Sequence, residues 1–201
     1  EDRGAVARAV SGWRKADLAS AVVAAGGCAA AMNTMAEWAA HPQGAAVAAE
    51  PAIRFDPAGS APPPDWPILR ERPLRGVRVL DLTRVLAGPV ATRLLAGFGA
   101  EVLRIDPPDW DEPGVVPSVM LGKRAARLDL KTAEGRSVFA ARLSRADILV
   151  HGYRSDALES LGLGADWRRG AQPALIDVAL DAYGWTGPWR VRRGFDSLVQ
   201  M

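Results

Sequence analysis

The chain has 201 residues, of which 49% are hydrophobic and 24% are charged, a composition typical of a folded protein with a core of its own. Its 25 Lys and Arg nearly balance 23 Asp and Glu, so a net charge of +2 argues against a nucleic-acid or membrane surface as partner. One cysteine, Cys28, excludes an internal disulfide and, with only His41 and His151 beside it, argues against a metal site, so we expect a reducing, cytoplasmic setting.

The first part of the chain predicts two helices. The run DLASAVVAA begins at Asp17, whose side chain can cap a helix, and it ends at the glycine pair 26–27. A second helix is expected after Thr34, because Thr34 and Glu37 have the spacing of a capping box, and it should end near residues 41–42. The alanine-rich apolar run that holds the first helix is too short to span a bilayer.

A proline-rich stretch follows these helices. The segment DPAGSAPPPDWP, residues 56–67, cannot sustain a helix or an inner strand, so it predicts an exposed, semi-rigid linker. We therefore place a domain boundary at about residue 72. Residues 1–72 then form a helical segment with its linker, and residues 73–201 form a separate domain.

The second domain alternates short β-favouring runs with helical stretches. Strands are predicted at residues 76–83, 100–106, 125–130, 146–152 and 174–180, and helices near 87–98, 133–143 and 156–161. This alternation predicts an α/β fold with a Rossmann-like open parallel sheet and flanking helices, built from right-handed βαβ units and preceded by the short helical segment. In such sheets ligands bind beyond the carboxyl ends of the strands, so we expect the site in the loops that follow them.

The turn after the first strand bears on whether the ligand is a dinucleotide such as NAD. It contains Gly88 but lacks the G-x-G-x-x-G pattern of dinucleotide sites, and Pro89 stands where a backbone N–H would have to approach the pyrophosphate. Asp106 does end the second strand where an acid could bind the ribose of NAD. An NAD-dependent oxidoreductase therefore stays an alternative that the turn disfavours.

Four segments, occurring in one order, carry a resemblance to a known family. They are PLRGVRVLDLTRVLAGPVATRLLAGFGAEVLRIDPP, GKRAARLDLKTAEGR, ADILVHGYRSDALESLGLG and PALIDVALDAYGWTGPW. Together they resemble the N-terminal part of the family III CoA-transferases, the CaiB/BaiF group, across residues 73–201. The earlier segment GWRKADLASAVVAAGGCAAAMNTMAEWAAHPQ, with EPAIRF after it, resembles the C-terminal tail of the same family. A tandem or rearranged protein would explain this order, and an unrelated helical pair is the alternative.

The resemblance implies chemistry on coenzyme A, with CoA or an acyl-CoA as substrate, an organic acid as the other substrate and no tightly bound cofactor. In the family an aspartate attacks the thioester carbonyl to give an anhydride, the thiolate returns to form an enzyme–CoA thioester, and the acceptor acid then takes the CoA. That aspartate is expected beyond Met201, so we expect a fragment that binds CoA without turnover by itself. A non-catalytic CoA-binding or assembly module is the alternative. The family's interlocked protomers imply a homo-oligomer.

Two residues near the end of the chain bear on which reaction the family resemblance implies. Asp196 matches a family position near the CoA site that is not the transferase nucleophile. Phe195 stands where the α-methylacyl-CoA racemases, which belong to the same family, have a histidine that carries a proton. Because phenylalanine cannot carry a proton, racemisation by that route is disfavoured.

The resemblance also assigns residues to the CoA site. They are Val85, Leu86, Leu128, Asp129, Leu130, Lys131, Gly152, Tyr153, Arg154 and Arg193. In this assignment Lys131 and Arg193 supply positive charge for phosphate and Tyr153 offers a packing surface. The family's basic or amide residues are absent at Pro107, Gly152 and Ser160, so CoA affinity is expected to be weaker or to rest on other cations. Those cations are Lys123, Arg124 and Arg127.

Two residues have plainer interpretations. His151 follows a buried strand without a partner acid or nucleophile nearby in the sequence, so it is interpreted as a hydrogen-bonded structural histidine. Cys28, among glycines and alanines, is interpreted as a small buried hydrophobe.

Overall fold

The computed structural model describes residues 2–57, 61, 62, 64, 66 and 69–201. The helices are α1 (Arg3–Val10), α2 (Lys15–Ala24), α3 (Met35–Ala40), α4 (Pro42–Ala48), α5 (Ala87–Gly97), α6 (Val116–Val119), α7 (Ala133–Leu143), α8 (Ala157–Ser160), α9 (Ala165–Ala171) and α10 (Asp196–Val199). The strands are β1 (Arg78–Leu82), β2 (Glu101–Asp106), β3 (Lys123–Arg127), β4 (Ile148–His151) and β5 (Ile176–Ala179). Across these described residues, no helix has the length and apolar character that a membrane span requires.

The chain divides into two compact units. One contains the described residues up to Phe55 together with Asp181–Met201, and the other is Asp56–Leu180. The predicted linker lies partly outside the described residues, and the predicted domain boundary at about residue 72 stays a prediction.

A five-stranded parallel sheet forms the centre of the second unit. The strand order is β3-β2-β1-β4-β5, and Leu80 of β1 pairs with Leu103 on one side and Leu149 on the other. All five predicted strands are present, which confirms the predicted α/β fold with its open parallel sheet. One strand is shifted: β3 begins at Lys123 and ends before the predicted LDL segment, because the Asp129 carboxylate accepts the backbone N–H two residues on and turns the chain.

The two faces of the sheet bury different residues of the same strands. Leu80 and Leu82 share one apolar cluster with Phe139 of α7. Val79, pointing to the other face, packs in a second cluster with Ala96 of α5. Because successive strand residues point to opposite faces, a continuous apolar strand covers both helical layers. The central strands are therefore buried on both sides, and their carboxyl ends are held in fixed register.

A buried ion pair joins β1, α5 and β3. Asp81 and the side chain of Lys123 are both fully buried, with the Lys123 ammonium 2.9 Å from a carboxylate oxygen. The ammonium also donates to the Pro89 carbonyl oxygen at 2.8 Å and to the Thr92 hydroxyl at 2.6 Å. The backbone N–H of Thr83 donates to the other Asp81 oxygen at 2.9 Å. Burial lowers the pKa of Lys123, against the opposing pull of Asp81.

Gly88, in the first turn of α5, lets this helix start close against β1. A Cβ at Gly88 would lie 2.3 Å from the Cβ of Thr83, a distance that no side chain can accept. The glycine is therefore required by close approach of helix and strand.

The first unit confirms both predicted helices, as α2 and α3. The capping box is present, since the Glu37 N–H donates to the Thr34 hydroxyl at 3.1 Å and the Thr34 N–H donates to the Glu37 carboxylate at 2.7 Å. The expected cap of α2 was wrong: the helix begins at Lys15, and Asp17 lies in its first turn. There its charge still interacts favourably with the positive end of the helix.

Two side chains near α4 in the first unit hold the loop YGWTGPW. Gln43 is fully buried and donates to the carbonyl oxygens of Tyr183 at 2.6 Å and Thr186 at 2.9 Å, while its own oxygen accepts from the Trp189 N–H. Glu50 accepts from the Thr186 N–H at 2.7 Å. The loop is thus ordered by hydrogen bonds from residues about 140 positions earlier in the chain.

Candidate functional site

The carboxyl ends of β1, β3 and β4 meet at one edge of the sheet, as the fold requires. The loop after β1 exposes Val85 and Leu86, with 40% and 57% of their surface accessible. Helix α5 follows directly and has no side-chain cap at its N-terminus. Free N–H groups and the positive end of a helix favour an anion there. The edge therefore combines an apolar surface with a polar, positive one.

The loop after β1 is held in an unusual conformation. Val85 has a φ of 65°, which costs energy for a β-branched residue. Its N–H donates to one oxygen of Glu112 at 2.7 Å, and the other oxygen accepts from the buried guanidinium of Arg104. Arg104 also donates to Asp106 at 3.0 Å. Asp106, the acid that an NAD site would need, is thus engaged in this network.

Arg84 is a functional candidate that the sequence motifs do not indicate. Its guanidinium lies 4.5 Å from the centre of the Trp110 ring and 5.5 Å from that of Tyr153, and it donates to the Tyr153 hydroxyl at 3.3 Å. In the part of the chain that the structure describes, Arg84 has no ion pair with a carboxylate. A half-buried cation held by two aromatic rings suits an anionic ligand. The only signal in the sequence was a basic residue just after a strand.

The loop after β3 contains four of the predicted site residues. Leu130 is buried in the core, so its side chain faces away from solvent, and Leu128 and Asp129 are half-buried. The Asp129 carboxylate accepts the N–H of Lys131 at 2.9 Å, and Lys131 itself is exposed. Thr132 caps α7 immediately afterwards. Lys131 therefore stands beside the positive end of a second helix.

The remaining predicted residues fall on two different units. Gly152, Tyr153 and Arg154 follow β4, beside the loop after β1, and a Cβ on Gly152 would meet nothing within 4 Å. Arg154 lies 3.7 Å from Asp156 in an exposed ion pair. Arg193 belongs to the other compact unit, where it donates to the Gly26 carbonyl oxygen at 3.2 Å. The binding role of all ten residues stays a prediction.

Of the three cations expected as an alternative basis for CoA binding, Lys123 is not free to reach a phosphate, and the expectation for Arg124 and Arg127 stays a prediction. The ammonium of Lys123 is buried against Asp81, as described above. Arg124 is exposed near the amino end of β3. Arg127 donates to backbone carbonyl oxygens of the segment that follows β2. Alternating strand residues point to opposite faces, so neighbours in sequence are separated in space.

His151 is buried, with 6% of its surface accessible, but it is not hydrogen-bonded as the sequence suggested. Neither ring nitrogen has a hydrogen-bond partner among the described residues, and Nε2 lies 3.6 Å from Asp177. Burial, assisted by the charge of Arg168 and opposed by Asp177, lowers the pKa of His151 to about 4.

Cys28 is only partly buried, so the interpretation as a buried hydrophobe was wrong. No three His, Cys, Asp or Glu residues gather as a metal site within the ranges described.

Comparison with known proteins finds relatives of the second part of the chain. The profile of CoA-transferase family III matches residues 74–201. The chain is 35% identical over 140 residues to the succinyl-CoA–D-citramalate CoA-transferase of Chloroflexus aurantiacus, covering 63% of this chain and 35% of that protein. It is 33% identical over 150 residues to the succinate–glutarate CoA-transferase of Agrobacterium fabrum, covering 65% and 38%.

A solved structure has the same fold. The crystal structure of Rv3272 from Mycobacterium tuberculosis matches with a TM-score of 0.57 and 35% identity, covering 62% of this chain and 38% of that one. The chain spans about a third of the length of the curated relatives it matches.

Proposed function

Because the chain belongs to CoA-transferase family III, we propose that it forms the CoA-binding part of an enzyme that moves CoA between an acyl-CoA and an organic acid. Two of its relatives are named for transfer among succinate, glutarate and citramalate. These are small dicarboxylic acids, and we propose an acceptor of the same class.

The observation that carries this proposal is Arg84 at the carboxyl edge of the sheet. Packing against two aromatic rings fixes the position of its guanidinium. No carboxylate among the described residues forms an ion pair with it. CoA carries a diphosphate, a 3′-phosphate and a long neutral arm. Arg84, Lys131 and the uncapped start of α5 offer positive charge and free donors for the phosphates. The exposed side chains of Val85 and Leu86 offer an apolar surface for the arm.

The proposed role of these residues is binding and orientation. In an enzyme that also carries the family's aspartate, the carboxylate attacks the thioester carbonyl and the CoA thiolate leaves. The thiolate then attacks the enzyme's carbonyl in the resulting anhydride, which releases the free acid and forms the enzyme–CoA thioester. The acceptor carboxylate attacks this thioester in turn, and the released thiolate attacks the acceptor's carbonyl in the second anhydride, which gives the new acyl-CoA and restores the aspartate. Contacts to the phosphates hold CoA during both exchanges, so binding energy remote from the thioester serves the reaction.

A calorimetric titration with CoA tests the proposal. Arg84→Ala should weaken CoA binding roughly 10- to 100-fold, because hydrogen bonds to charged groups contribute about 1.5–3 kcal/mol. Arg142→Ala is the matched control, because Arg142 is an exposed arginine in the last turn of α7. NADH should bind more weakly than CoA. Equal losses in the two variants, or no CoA binding at about 1 mM, would refute the proposed site.

Turnover distinguishes this proposal from a non-catalytic module. Residues 1–201 alone are expected to bind CoA without transferring it, while a protein that adds the family's aspartate should transfer it. Transfer of CoA between succinyl-CoA and glutarate by residues 1–201 alone would show that the nucleophile lies within them.

A further inference from the structure

A basic cleft lies at the amino-terminal edge of the sheet, away from the loops discussed so far. We infer that this cleft is a second anion site, which takes a small molecule carrying two adjacent phosphates. Its volume is about 630 Å³, and all of its lining residues belong to the sheet-containing unit. The residues are Arg72, Arg75, Gly99, Ala100, Glu101, Val102, Gly122 and Arg124. The volume is within the range of small-molecule sites.

The charges in the cleft do not cancel. Arg124 and Glu101 form an exposed ion pair with 3.7 Å between them. Arg72 and Arg75, both exposed, have no carboxylate partner in the described portion of the chain. The C-terminus of α5 contributes about half a negative charge at this edge. Three guanidinium groups therefore exceed the negative charge of one carboxylate and one helix end, and the cleft is positive.

Two glycines line the cleft. Gly99 has a φ of 106°, and a Cβ there would lie 2.9 Å from the Cβ of Arg72. Gly122 has a φ of 76°, and a Cβ there would lie 3.3 Å from that of Ala96. The left-handed backbone at both positions disfavours a side chain, and at Gly99 the added Cβ would also lie too close to Arg72. Arg72 therefore packs directly against the backbone that precedes β2.

Diphosphate chemistry suits this arrangement. The guanidinium group presents parallel N–H donors that match two phosphate oxygens, and two or three such groups around one cleft match adjacent phosphates. β2 runs from Glu101 to Asp106, so the two edges of the sheet are roughly 17 Å apart at about 3.3 Å per residue. One diphosphate cannot reach both edges. The cleft is therefore separate from the proposed CoA site.

Titration of the chain with pyrophosphate tests the inference. The double variant Arg72→Ala, Arg75→Ala should bind pyrophosphate at least about tenfold more weakly than the wild type. Glu101→Gln should bind it roughly two- to fivefold more tightly, since the one acid of the cleft is removed. A gain in affinity cannot come from misfolding. Arg142→Ala, the matched control, should leave pyrophosphate binding unchanged.

The outcomes separate this site from the CoA proposal. No pyrophosphate binding below about 10 mM, or equal weakening by Arg142→Ala, overturns the second site whether or not CoA binds. Loss of binding only in Arg84→Ala also overturns it, because pyrophosphate would then sit at the other edge. A parallel titration with ADP distinguishes two sources of the diphosphate. Tighter binding of ADP than of pyrophosphate identifies a nucleotide, and equal binding identifies a free polyphosphate.

Discussion

Replacing Lys123 by methionine should lower the free energy of unfolding by about 3–5 kcal/mol, the usual cost of breaking a buried ion pair. The ammonium makes three contacts of 2.6–2.9 Å, to Asp81, Thr92 and the carbonyl oxygen of Pro89. Methionine nearly conserves the volume, so the loss comes from an uncompensated carboxylate and unsatisfied acceptors rather than from a cavity. With total stabilities of about 5–15 kcal/mol, such a loss is a large fraction of the whole.

Urea unfolding followed by circular dichroism measures this loss. Lys131→Met, at an exposed position, is the control and should change stability by no more than about 0.5 kcal/mol. The double variant Asp81→Asn, Lys123→Met removes both charges, so it should be more stable than Lys123→Met by at least about 1 kcal/mol. A loss below about 1 kcal/mol in Lys123→Met would refute the buried pair as described. So would a double variant in which the losses simply add.

Three further predictions concern other parts of the fold. Gly88→Ala should destabilise the protein by about 1–3 kcal/mol, because the added methyl group would lie 2.3 Å from Thr83. Gly97→Ala in the same helix adds a methyl group that meets nothing within 4 Å, so it should stabilise the protein by about 0.5–1 kcal/mol. Thermal unfolding of the two variants checks their opposite signs. The imidazole of His151 should titrate by NMR with a pKa of about 4 rather than 6.5, so stability falls as pH drops from 6.5 to 4, where only the unfolded chain takes up the proton. A midpoint near 6.5 would contradict its burial. Hydrogen bonds from the Thr34 backbone and from Lys15 lower the pKa of Glu37 to about 2. The Glu37 carboxylate therefore stabilises the fold fully above pH 4.5, and this stabilisation disappears as the pH falls through 2. Glu37→Gln should abolish this acid dependence of helicity.

The elements that the sequence predicted well are those with a local cause. The capping box at Thr34 and Glu37 depends on residues three apart, and α7 follows a threonine cap in the same way. Strand β3 was misplaced because apolar alternation continues into LDL, where Leu130 enters the core from the loop rather than from the strand. Hydrophobic periodicity alone cannot distinguish an apolar residue that is buried as part of a strand from one that is buried from a loop.

The site was harder to predict because its contacts are distant in sequence. Lys123 and Arg124 look like one basic cluster, yet the first is paired with Asp81, 42 residues away, and the second lies beside Glu101 at the sheet's other edge. Arg84 depends on Trp110 and Tyr153, which come from different loops. The order of strands predicts that their following loops share the carboxyl edge of the sheet, but local sequence does not show which cations the fold leaves without an acidic partner.

The discontinuous first unit has a consequence for the order in which the chain acquires structure during synthesis. Its helices α1–α4 have at most ten residues each, and isolated helices shorter than about 12–15 residues are marginal in water. The acceptors for Gln43 lie in Tyr183 and Thr186, so at about 5–20 residues per second the ribosome needs roughly 7–28 s to deliver them. Strands β1–β4 are all synthesised within that interval. Helices α1–α4 are therefore expected to become ordered after these strands, although they precede them in the chain.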